Sequence, residues 1–124
     1  MVQDTMTRET SALIAADRVE GTAVYDLRGN KIGTIKTLMI DKLSGKVAYA
    51  VLSFGGFLGI GERYHPLPWS VLRYSTELGC YVVDIDKKTL ENAPTYGPNE
   101  MPNYGDREWA QRLHDYYRAQ VYWD

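Results

Sequence analysis

The chain has 124 residues, enough for one domain whose core holds without a metal or a disulfide. Its formal charge of −2, from 14 basic and 16 acidic side chains, excludes the electrostatic signature of a nucleic-acid binder. The single cysteine, Cys80, excludes an internal disulfide and fits a reducing, cytoplasmic setting, and no apolar run is long enough for membrane insertion.

Residues 1–10 are polar and carry both charge signs, which predicts a disordered lead without the apolar core of a signal peptide. Residues 11–18 fit either a short extended or a short helical piece that packs Leu13 and Ile14. From Gly21 the pattern is that of strands. Residues 22–25 predict a short strand, the turn residues around Gly29 and Asn30 reverse the chain, and residues 31–41 predict a long strand that completes a hairpin. A second turn at Ser44 and Gly45 leads into residues 46–54, where Val47, Tyr49 and Val51 alternate with Ala48, Ala50 and Leu52. Both faces of this strand are apolar, so it is expected to be central.

Residues 53–69 then hold four of the 11 glycines, two of the five prolines and both phenylalanines. Glycine lets the backbone turn sharply, while Phe57, Leu58 and Ile60 give the turn an apolar surface that needs a partner. Burial of these three as a plug in a barrel and exposure of them as an interface are equally open. Residues 62–67 predict an edge or rim strand, because Pro66 and Pro68 cannot donate to a ladder. One helical turn near Ser70 and a last hairpin, residues 73–75 and 80–85, complete a body that ends near Asn92. Five or six short strands with turns between them predict a small β-barrel or strongly bent sheet, over residues 11–92.

Residues 93–105, rich in proline and glycine, predict a linker. Asp106 is a natural N-cap for a helix within 106–124 that runs toward Tyr122, with Trp109, Leu113, Tyr116 or Tyr117, and Val121 forming an apolar stripe. Five of the ten tyrosines and two of the three tryptophans lie beyond Pro94. Amphipathic helices usually bury their stripe locally, so the helix is expected on its own barrel, with docking on another molecule, or exchange between chains, as the alternative.

Four motifs occur in order: Gly-x-x-Val-Tyr-Asp at 21–26, Ile-Gly-Thr-Ile at 32–35, Ile-Asp-x-x-Ser-Gly-Lys-Val at 40–47, and Pro-Leu-Pro-Trp at 66–69. Together they resemble the PRC-barrel family, the module shared by the cytoplasmic domain of the photosynthetic reaction-centre H subunit and the C-terminal domain of bacterial ribosome-maturation proteins. The likeness spans about residues 13–93 and is strongest to free-standing bacterial members with a Phe-Gly-Gly-Phe-Leu-Gly segment, here at 54–59. It implies a mainly β, six-stranded barrel-like fold that contacts other proteins and catalyses no reaction.

The residues themselves give little sign of catalysis. His65, between Tyr64 and Pro66, is expected to pack or to hydrogen-bond. His114, beside Asp115, is expected to be a solvated helical histidine. Two histidines and one cysteine lack zinc-ligand spacing, so no metal or cofactor is expected. Asp84 and Asp86 alternate along a predicted strand and could face a cation together, but a solvated face beside Lys87 and Lys88 is the preferred reading. Cys80 is expected to be buried and inert. The glycine loop lacks the Gly-Lys-Ser/Thr and following helix of a phosphate cradle. The function expected is therefore a non-enzymatic interaction or assembly module. It would form a homodimer and dock an unidentified protein through Phe57, Leu58, Ile60, Trp109, Tyr116 and Tyr117. The alternative is a small-ligand binder with a pocket at Tyr64, His65 and Trp69, and the weakest is an enzyme using His65 with Asp84 or Asp86.

Overall fold

The computed structural model describes residues 13–54, 63–97 and 99–123. The expected disordered lead, and the loop residues Phe57, Leu58 and Ile60, lie outside the described residues. A short helix α1 (Ala16–Val19) precedes strands β1 (Ala23–Asp26), β2 (Lys31–Ile40), β3 (Val47–Phe54) and β4 (Arg63–Pro68). A 3-10 turn at Trp69–Val71 leads to β5 (Leu72–Ser75) and β6 (Cys80–Val83), and helices α2 (Lys87–Glu91) and α3 (Arg107–Tyr117) follow.

The six strands form one sheet in the order β4-β3-β2-β1-β6-β5, curled into a half-barrel. Every sequential hairpin is antiparallel, and β6 joins β1 in parallel after the chain has crossed over. Chain reversal between β1 and β2 rests on Gly29, whose φ of 87° lies where side-chain-bearing residues are strained. Gly33 meets a different demand. A Cβ there would lie 2.8 Å from the Leu52 side chain and 2.8 Å from the Ser53 carbonyl, so its absence lets β2 bend closely over β3.

β3 is central, as its two apolar faces require. Ala48, Tyr49, Ala50, Val51 and Leu52 are all at most 5% exposed. Alternation sends Ala48, Ala50 and Leu52 to one face and Tyr49 and Val51 to the other. The first set joins Val24, Ile32, Ile35, Leu67, Val83 and Leu90 in the core. Tyr49 is ringed by the tail, with centroids 5.3 Å from Tyr104, 6.1 Å from Trp109, 5.4 Å from His114 and 5.7 Å from Tyr122.

Two stretches differ from expectation. The last hairpin strand stops at Val83, and Asp86 is a helix cap whose carboxylate accepts from the Thr89 N–H at 2.7 Å. The reason is local: Asp followed three residues on by Thr, ahead of Leu90, supplies capping chemistry that outweighs a two-residue extension of the strand. The tail helix starts at Arg107 on the predicted Asp106 cap, but ends at Tyr117, short of Tyr122. There Arg118 turns left-handed (φ 55°), its N–H bonds the Asp115 carbonyl at 3.1 Å, and the Ala119 N–H bonds the His114 carbonyl at 2.8 Å. This is a Schellman ending.

The stretch between barrel and helix runs against β4. Tyr64 and Tyr96 exchange backbone hydrogen bonds of 2.8 and 3.0 Å, and their rings meet at 5.5 Å. Arg63 reaches the Thr95 hydroxyl at 2.9 Å, and the Tyr96 and Tyr104 hydroxyls lie 3.2 Å apart. Prolines exclude a helix here without excluding one antiparallel bridge, and that bridge covers the outer edge of β4.

Candidate functional site

The helix stripe is built from residues at i, i+3, i+4 and i+7. Ala110, Leu113, His114 and Tyr117 are its buried members, and Leu113 and Tyr117 join the barrel core. His114 is thus a core residue, 1% exposed, contrary to the solvated histidine expected from its neighbour Asp115. Its Nδ1–H donates to the Ala110 carbonyl at 2.7 Å, which satisfies the ring within its own helix. Trp109 is half-buried against Tyr49 and Tyr104, and Tyr117 is 8% exposed. Two of the three tail aromatics proposed for partner contact therefore pack on this chain's own barrel. Tyr116 keeps 38% exposure and donates its hydroxyl to the Thr89 carbonyl at 2.6 Å, tying α3 to α2.

Tyr64, His65 and Trp69 take three different ring partners. Tyr64 meets Tyr96, His65 meets Phe54 at 5.7 Å, and Trp69 meets Tyr81 at 5.6 Å. As successive strand residues, Tyr64 and His65 point to opposite faces. His65 is 2% exposed and neither ring nitrogen has a hydrogen-bond partner among the described residues. The Leu90 backbone is near enough to favour a protonated ring weakly, but falls outside hydrogen-bond geometry. Burial, helped by the positive charge of Arg63, pushes the His65 pKa down to about 4. It is a packing histidine.

Trp69 lines a small hollow of about 150 Å³ with His114 and Tyr122, and a larger concave surface among the described residues lies where the β1–β2 turn, the segment after β6 and the end of α3 meet. A groove of about 800 Å³ is lined there by Leu27, Arg28, Asp84, Lys88, Tyr116 and Arg118, among others. A second hollow of about 570 Å³ continues past Leu27, Ile85 and Arg118 toward Val71 and Arg73. The turn is organised by Asp26, whose carboxylate accepts from the Arg28 N–H at 2.9 Å, the Asn30 N–H at 2.8 Å and the Asn30 side chain at 3.2 Å. These bonds hold the Asp26 carboxyl below its ordinary pKa and leave Leu27 and Arg28 projecting outward. Across the groove the Asp86 cap lowers that carboxyl in the same way, chiefly through the Thr89 N–H.

Two of the groove's carboxylates are thus turned to backbone amides. Its cations are freer. Among the described residues Arg28, Lys88 and Arg118 form no ion pair, although Arg28 lies within Coulombic reach of both capping carboxylates. Lys87 sits over the Phe54 ring, 5.5 Å from its centroid. Phe54 and Arg63, paired across β3 and β4, flank residues 55–62 in the chain.

Residue-by-residue reading missed this groove because its cations are scattered along the chain, on a turn, a short helix and a helix end. The one local signal was the Asp86 to Thr89 capping pattern. Among the described residues no group of three His, Cys, Asp or Glu side chains converges as a metal would need. No helix among them is long and apolar enough to cross a membrane. A family model described as the PRC-barrel domain matches residues 12–90. No curated protein matches the chain.

Proposed function

The chain belongs to the PRC-barrel domain family, and from that premise we propose that it is a non-enzymatic, cytoplasmic interaction module that self-associates as a homodimer and docks a further protein. The observation that carries this reading is the place of β5 at the end of the sheet. β4 has Tyr96 bonded along its outer side, whereas among the described residues no strand pairs with the outer side of β5. A strand at the end of a sheet can template a second chain, and antiparallel pairing of β5 with its copy about a two-fold axis would join two half-barrels.

Phe57, Leu58 and Ile60 supply a second contact, because three apolar side chains in one turn favour burial against a neighbour. Half-buried Trp109 borders that surface, whereas Tyr117 is only 8% exposed. Tyr116 stays at the groove's rim. The non-enzymatic reading is supported by the histidines: among the described residues His65 has no hydrogen-bond partner, and His114 bonds a carbonyl of its own helix. A free Cys80, buried at 6% exposure, suits a reducing compartment.

Sedimentation over a concentration series, read together with amide hydrogen exchange, tests the proposal. The expected result is a dimer that grows with concentration while exchange slows at Leu72–Ser75, and a weaker dimer in the Phe57→Ser, Leu58→Ser double variant. A monomer up to about 1 mM would sink it, since an association that weak contributes no more than about 4 kcal/mol.

A further inference from the structure

We propose that the groove between the β1–β2 turn, α2 and the end of α3 is a docking site for an extended acidic segment of a partner protein, its acidic side chains alternating with aliphatic ones. The proposal rests on reading the chain as an interaction module and adds the chemistry of what docks.

Charge comes first. Arg28, Lys87, Lys88 and Arg118 line the groove, while Asp26 and Asp86 direct their carboxylates at backbone N–H groups. Among the described residues Asp84 is the one lining carboxylate that receives no hydrogen bond, so cations outnumber the acids free to face an incoming chain. A locally cationic hollow on a chain of net charge −2 is placed against the trend of the whole molecule.

The spacing of these cations selects a polymer over a small anion. They stand on three separate elements and do not form one backbone nest around a single phosphate. Leu27, 68% exposed, and half-buried Ile85 lie among them, which gives a bound strand apolar footing between its charges. The groove continues into the neighbouring hollow through Leu27, Ile85 and Arg118, so the path is longer than a single side chain requires.

Arg118 makes the argument specific. It occupies the left-handed position of the Schellman ending, where glycine is the unstrained choice, and so carries a backbone penalty. Its side chain lines both hollows, at their junction. A glycine there would end the helix as well and leave the junction without its charge.

Fluorescence anisotropy with a short labelled peptide of alternating glutamate and leucine tests the site on the full chain. The controls are the same peptide with glutamine for glutamate, and phosphatidylglycerol vesicles. Saturable binding of the acidic peptide, weakened by salt and about tenfold weaker in the Arg28→Ala, Lys88→Ala, Arg118→Gly triple variant, supports the proposal. Equal binding of the glutamine peptide, equal binding by the triple variant, or binding of the vesicles without the peptide would overturn it. Circular dichroism confirms that the variant folds. Sedimentation of the same samples separates the two readings: a self-associating parent that ignores the peptide loses the groove proposal alone, whereas a parent that stays monomeric loses the dimer as well.

Discussion

The aromatic clasp around Tyr49 and the groove around Arg118 divide the work of the tail between them. In the clasp Tyr104, Trp109, His114 and Tyr122 close on one buried ring, and even the imidazole finds its acceptor inside its own helix. In the groove the side chains are charged, exposed and without ion pairs among the described residues, and one stands on strained backbone. The same eleven-residue helix serves both, its middle in the clasp and its end in the groove. Aromatic richness in this chain therefore marks where it holds itself together, and the scattered cations mark the place proposed above for a partner.

Breaking the clasp has the largest expected effect. Tyr49→Ala removes a ring that is 1% exposed and leaves a cavity under the tail, at about 3–5 kcal/mol of unfolding free energy in urea. Tyr49→Phe sharpens the point. The Tyr49 hydroxyl is buried without a hydrogen-bond partner among the described residues, so its removal is expected to leave stability level or to raise it.

A smaller effect separates the two buried histidines. His65, 2% exposed in β4, keeps a folded pKa of about 4, below the ordinary 6.5. Between those values the unfolded chain binds more protons, so stability rises with pH across the window and is lost on acidification from 6.5 to about 4. The expected loss is about 3 kcal/mol. His65→Leu should flatten that window. Asp26, Asp41 and Asp86, whose pKa values are lowered, contribute stability that disappears only as pH falls below about 3.8, so their loss remains in the variant. An undiminished slope between pH 6.5 and 4 in His65→Leu would show that another group carries it.

The strands, their pairing order along the hairpins and the Asp106 cap were legible because each depends on residues close in sequence: alternation in residues 47–54, a glycine at the tight turn, an aspartate ahead of a helix. The parallel β1–β6 pairing and the place of β5 at the sheet's end were not, since nothing local in Cys80–Val83 says which strand it will join. His114 shows the same limit. Its neighbour Asp115 suggested water, but its position four residues after Ala110 and three before Tyr117 put it in the buried stripe, and tertiary position decided. The groove was hidden for a further reason. Arg28, Lys88 and Arg118 acquire a common meaning only once the fold has brought their elements together and capping has turned two aspartates away.

The division between a clasp that stabilises and a groove proposed to recognise a partner comes down to Arg118. Its left-handed backbone favours glycine, so the unfolding free energy of Arg118→Gly, measured in urea on the full chain, is predicted to rise by about 0.5–1 kcal/mol. A fall of similar size would make Arg118 a structural residue and contradict the account.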